Sequence, residues 1–73
     1  NELDARELGR LLDAFLRTQT PENQMVFLRR FWYADTVGEI AARYGISESA
    51  VHMRLNRTKN RLSAYLAKEG IQV

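Results

Sequence analysis

Arg54, Arg57, Lys59 and Arg61, interleaved with His52, Asn56 and Asn60, are the side chains best suited to chemistry with a partner. What they offer is hydrogen bonding to base edges and neutralisation of phosphate. Arginine can pair with guanine, asparagine with adenine, and an apolar neighbour such as Met53 can meet a thymine methyl. Bond-making chemistry has no comparable support, because Asp35, Glu39 and Glu48 are accompanied by no nucleophile, cofactor loop or partner base. His52 is the single histidine and cysteine is absent, so a thiolate zinc site and a disulfide framework are excluded and no metal site is expected. The chain reads as a non-enzyme without cofactor or metal.

A basic run by itself can be no more than the solvated face of a surface helix. The formal net charge of +2 adds little, but its distribution does. Residues 1–24 set Arg6, Arg10 and Arg17 against Glu2, Asp4, Glu7, Asp13 and Glu22. Residues 51–73 set Arg54, Arg57, Lys59, Arg61 and Lys68 against Glu69 alone. The positive field is concentrated in the last third, where phosphates would be neutralised.

The elements that must position these residues are legible just upstream. Thr36 and Glu39 form a T-x-x-E capping box, which predicts a helix beginning at Val37. Ile40, Ala41 and Tyr44 share its buried face, and Gly45 follows where a helix can end in positive φ. Ser47 then offers an N-cap and Glu48 a charge that suits the helix dipole, while Val51, Leu55, Thr58 and Leu62 continue an inward stripe. A short glycine turn of this kind sets the second helix across the first and leaves its outer face free for a major groove. With Val51 and Leu55 inward, Ser49, His52, Met53, Asn56, Arg57 and Asn60 point away. Arg54 and Arg61 lie on the flank, suited to phosphate contact or to packing against the preceding helices.

Two further helices precede this pair. The first is expected over about residues 3–17, burying Leu8, Leu11, Leu12, Phe15 and Leu16, with Gly9 a weak point. Thr20 caps the second and Pro21 fills its first position. That helix is expected to reach about Trp32 and to bury Met25 or Val26, Leu28 and Phe31. Phe31, Trp32 and Tyr33 could stack on bases, but an aromatic group ending an amphipathic helix is expected in the core. The last helix is expected to run to Lys68 before Gly70. No strand, repeat, signal peptide or membrane-spanning run is visible, and the absence of cysteine is compatible with a reducing cytoplasm. Seventy-three residues suit one small domain spanning residues 1–73, and Asn1 at the start suggests a piece cut from a longer protein. The expected fold is all-α, a four-helix, winged-helix-like bundle without a wing that contains a helix-turn-helix at about residues 36–68.

From Leu12 onward the chain resembles region four, the C-terminal DNA-binding region of bacterial RNA polymerase sigma factors, most closely the extracytoplasmic-function type. The blocks TPENQMVFLRRFWY, TVGEIAARYGIS and SAVHMRLNRTKNRLSAYLAKEGI carry the resemblance in order and without gaps. A glycine-turn helix pair is shared with repressors, response regulators and recombinases. The P-E-x-Q helix before it and V-x-x-R-L-x-R-x-K-x-R-L after it are more specific. Relatives usually carry Lys or Arg where this chain has His52, and often a small residue where it has Met53.

The resemblance implies recognition of the minus-35 element of double-stranded promoter DNA. Ser49, His52, Met53, Asn56 and Arg57 would face the bases, and Ser47, Arg54, Lys59, Asn60 and Arg61 the phosphates. It also implies docking of the first three helices on the flap-tip helix of the RNA polymerase β subunit, and in some family members an anti-sigma factor covers these surfaces. The region that melts the minus-10 element is not in this chain. Few phosphate-neutralising side chains and no leftover apolar seam lead to the expectation of a weakly binding monomer. Two alternatives stand beside this reading. One is a dimeric regulator of the response-regulator type, which needs a self-complementary face. The other is a protein-interaction module bound by an anti-sigma factor, against which the outward basic face argues.

Overall fold

Each helix begins where the sequence supplies an acceptor for its orphan amides. The computed structural model describes residues 4–71 and, among them, four α-helices and no strand. These are α1 (Ala5–Arg17), α2 (Pro21–Phe31), α3 (Val37–Tyr44) and α4 (Glu48–Lys68). Asp4 opens α1 by accepting from the Glu7 amide at 2.8 Å. The helix therefore starts later than expected, and Leu3 lies outside the described residues. Thr20 accepts from the Asn23 amide at 3.2 Å to open α2, with Pro21 in the first turn. The Thr36–Glu39 capping box is closed in both directions.

The ends are set by backbone conformation. Gly45 stops α3 at φ 64°, and the Ile46 amide donates to the Ala41 carbonyl at 3.0 Å. Gly70 does the same after α4 at φ 81°, with the Ile71 amide donating to the Leu66 carbonyl at 2.9 Å. Between α2 and α3 the chain turns at Ala34, a non-glycine residue at φ 59°. That turn lets the Asp35 amide donate to the Arg29 carbonyl at 2.8 Å and the Arg30 guanidinium donate to the Asp35 carbonyl at 3.3 Å.

α4 is the common wall: α1, α2 and α3 all pack on it, and α2 also packs on α3. Its proximal half closes a core of Val26, Ile40, Ala41, Val51 and Leu55, flanked by Val37, Tyr44 and Ile46. Thr58 and Leu66 continue the buried stripe, and Phe15 brings α1 onto the distal half through the ring of Tyr65. Between Met25 and Val26 it is Val26 that is buried.

Two expectations about the core are corrected. Leu8 is exposed and Leu11, Leu12, Leu16, Leu28 and Leu62 are only half-buried, while Phe31, Trp32 and Tyr33 are exposed, Trp32 at 79%. The reason is that α2 ends at Phe31 and the chain turns away, while α1 leans on distal α4. An open apolar groove of about 540 Å³ is left between α1 and α2, lined by Leu12, Leu16, Phe27, Leu28, Phe31 and Trp32, which also corrects the expectation that the packed helices leave no apolar seam. Within it the rings of Phe27 and Phe31 meet at 4.8 Å, tilted by 46°. Tyr33 instead lies under the Arg29 guanidinium, 4.8 Å from its ring centre.

Candidate nucleic-acid interface

The proximal half of α4 presents two unlike faces because its sequence alternates apolar and polar residues at helical spacing. Val51, Leu55 and Thr58 are buried. Ser49, His52, Met53, Asn56, Arg57, Lys59, Asn60 and Arg61 are exposed. At helical spacing Ser49, Met53, Asn56, Arg57 and Asn60 cover the outer face. His52 and Lys59 then fall on one flank, and Arg54 and Arg61 on the other. Such an arrangement matches a helix lying in a major groove, with base edges ahead and a phosphate strand on either side.

Ser47 has a defined structural duty: its Oγ accepts from the Ala50 amide at 3.0 Å and sets where the helix begins. The capping box fixes where α3, the preceding helix, begins. The Thr36 amide donates to the Glu39 carboxylate at 2.8 Å, and this bond, with that from the Thr36 side chain and the charge of Arg43, holds the Glu39 carboxyl below its ordinary range.

The flanking arginines are not equivalent. Arg54 is only partly exposed and turns back to the first turn of α2. Its Nη1 donates to Asn23 Oδ1 at 3.0 Å, and its Nη2 pairs with Glu22 Oε1 at 3.0 Å. Arg61 donates from Nη1 to Gln19 Oε1 at 3.2 Å, a neutral partner that leaves its charge uncompensated. Arg57 makes neither an ion pair nor a side-chain hydrogen bond among the described residues. Asn23, Ala50, Met53 and the three arginines line one cleft of about 280 Å³ at this edge of α4.

Glu22, Asn23 and Gln19 therefore belong to the site's surroundings, although sequence reading assigned them no part in it. Local periodicity carries no sign of them, because their partners lie a helix-turn-helix further along the chain. Among the described residues no group of His, Cys, Asp and Glu could hold a metal ion. None of the helices is long and apolar enough to cross a membrane.

The Sigma-70, region 4 family matches residues 15–64, more than half of the chain. The chain belongs to that family. A search of the curated proteins and a search of the solved structures each find no match. As a sigma region 4, the chain is the DNA-binding region of a sigma factor, and its partners are promoter DNA and RNA polymerase in transcription initiation. The match takes in α2, α3 and α4 as far as Ala64, so the whole outward polar face of proximal α4 falls inside it.

Proposed function

We propose that this sigma region 4 recognises the promoter minus-35 element, in a sigma factor of the extracytoplasmic-function type, by laying proximal α4 in the major groove. The observation that carries the reading is the fully exposed polar face of a helix whose start is fixed by a capped glycine turn. Ser49, Met53, Asn56 and Arg57 face base edges from the outer face, and His52 reaches a base edge from the flank it shares with Lys59. Lys59 and Arg61 neutralise phosphates on opposite flanks, with the helix start at Ser47, and Asn60 beyond the base-reading turns of the outer face, hydrogen-bonding to the backbone. No step of this role makes or breaks a covalent bond. The domain positions polymerase.

The apolar groove between α1 and α2 supports a second contact. Exposed Phe31 and Trp32 beside Leu12 and Leu16 offer an apolar slot for an amphipathic helix. Its occupant on this reading is the flap-tip helix of the polymerase β subunit, and an anti-sigma factor would compete for the same face. The domain works in the cytoplasm as a monomer on a single half-site.

Selection from a randomised duplex library, followed by gel-shift titration of the winning and scrambled duplexes, tests the reading. One unrepeated preferred site, weak salt-sensitive binding and a gain in affinity with polymerase core are expected. Tight binding to a palindrome by a sedimenting dimer would favour a self-sufficient regulator.

A further inference from the structure

We propose that Glu22 is a specificity-determining residue that works by withholding the charge of Arg54 from the DNA backbone. The inference rests on proximal α4 being the DNA-facing helix. Arg54 lies on the same edge of α4 as Arg57 and Arg61, and all three line one cleft. Yet among the described residues only Arg54 meets a carboxylate there, Glu22 Oε1 at 3.0 Å, and its other terminal nitrogen is committed to Asn23 at 3.0 Å. Both partners sit in the first turn of α2, so the pairing is made across the fold and not along one helix.

The consequence follows from what each charge on that edge does. A guanidinium free to reach phosphate releases counterions and strengthens binding to any sequence alike. Specificity is the ratio of affinities for the preferred and the competing sites, so an added sequence-blind contact also increases occupancy of the wrong ones. Pairing Arg54 internally leaves Arg57 and Arg61 to engage DNA and keeps the third charge out of the sequence-independent part of binding. Glu22 reaches no base in this arrangement and acts through Arg54.

The test is a double-mutant cycle of Glu22→Ala and Arg54→Gln in the intact chain, on a library-selected duplex and on a scrambled duplex of equal composition. For Glu22→Ala, affinity for the scrambled duplex is expected to rise several-fold at low salt. The slope of log K against log salt should steepen by about one unit. The ratio of selected to scrambled affinity should fall. Arg54→Gln alone should leave the slope as in wild type, and the double variant should return to it.

If Glu22→Ala steepens the slope equally with Gln at position 54, the carboxylate repels DNA directly and the proposal is overturned. It is overturned too if Glu22→Ala lowers the thermal midpoint and both affinities in parallel at constant slope, the signature of a purely structural ion pair. Should Glu22→Ala fail to fold, Glu22→Gln removes the charge while keeping an acceptor, and the same slope decides. The slope on the scrambled duplex is readable even where wild type shows no sequence preference, so failure of the minus-35 reading is distinguishable from failure of this one.

Discussion

The ring of Phe15 in α1 lies 5.6 Å from that of Tyr65 in α4, tilted by 55°. Tyr65 falls beyond the outward polar turns of proximal α4, so α4 performs two tasks along its length. Its proximal half rests on α2 and α3 and presents polar side chains, while its distal half anchors α1. At 1.5 Å per residue, a helix of 21 residues is about 30 Å long, enough to keep the two tasks apart. The α1–α2 groove exists because α1 is held from that distal end.

Phe15→Ala is expected to destabilise the domain by about 3 to 5 kcal/mol, since Phe15 is only 2% exposed and its removal leaves a cavity. For a domain of this size that is a large part of the total stability. Thermal unfolding followed by circular dichroism should show a much lower midpoint or no cooperative transition. A midpoint within a few degrees of wild type would mean that α1 is not docked through this ring.

Gly45→Val is expected to cost more than Gly45→Asn. A Cβ at this glycine would meet nothing within 4 Å, so crowding is not the cause and φ 64° is. Left-handed backbone costs an ordinary L-residue about 1 to 2 kcal/mol, more when the side chain is β-branched, and asparagine least. Urea titration of both variants checks the order. Equal midpoints would show that α3 does not need this cap.

How much of this was legible from sequence depended on the range of the interaction. Thr20, Thr36 with Glu39, Gly45 and Ser47 act within a turn or so of themselves, and the helix boundaries they imply are found. The inward stripe of Val51, Leu55 and Thr58 was equally readable, because one helix face is a local property, although Leu62 at its distal end is only half-buried. The aromatic run was not. Amphipathic spacing marks Phe31 and Trp32 as belonging to an apolar surface, but it cannot say whether that surface meets the chain's own core or opens into a groove. The Glu22–Arg54 pair lay beyond reach for a related reason: it depends on how α2 and α4 are placed together.

The capping box should make stability acid-sensitive. Because the folded Glu39 carboxyl is held below its ordinary range, the unfolded chain binds the proton more readily. Its contribution is full above the ordinary glutamate value and is lost as pH falls through the depressed folded value. Glu39→Gln removes that ionisation, and its amide oxygen can still accept from the Thr36 amide. Denaturation midpoints measured from neutral to acid pH should therefore fall less steeply for the variant. Parallel curves would assign the acid sensitivity to other carboxyls.

Arg57→Ala is expected to weaken DNA binding by about 1 to 3 kcal/mol, with loss of discrimination at one base if Arg57 reads guanine. If it contacts phosphate, the loss is uniform across sequences and the salt slope falls by about one unit. Asn56→Ala and His52→Ala should each relax preference at one position while binding to random duplex stays nearly constant. Titration of these variants against single-base duplex variants separates the cases. Unchanged affinity of Arg57→Ala at low salt would remove it from the interface.

Trp32→Ser should separate the two faces of the domain. Trp32 is 79% exposed, so little apolar burial is lost and stability should stay within about 0.5 kcal/mol of wild type. It lines the apolar groove at the end of α2, and no residue of α4 lines that groove. DNA affinity of the isolated chain should therefore be unchanged. What should fall is the gain in affinity on adding polymerase core, because a large aromatic side chain at the edge of an apolar slot is the kind of residue that dominates helix docking. Gel-shift titrations with and without core measure both quantities on one duplex. Full retention of the polymerase-dependent gain, with Phe31→Ser behaving the same way, would move the docking surface elsewhere on the helices.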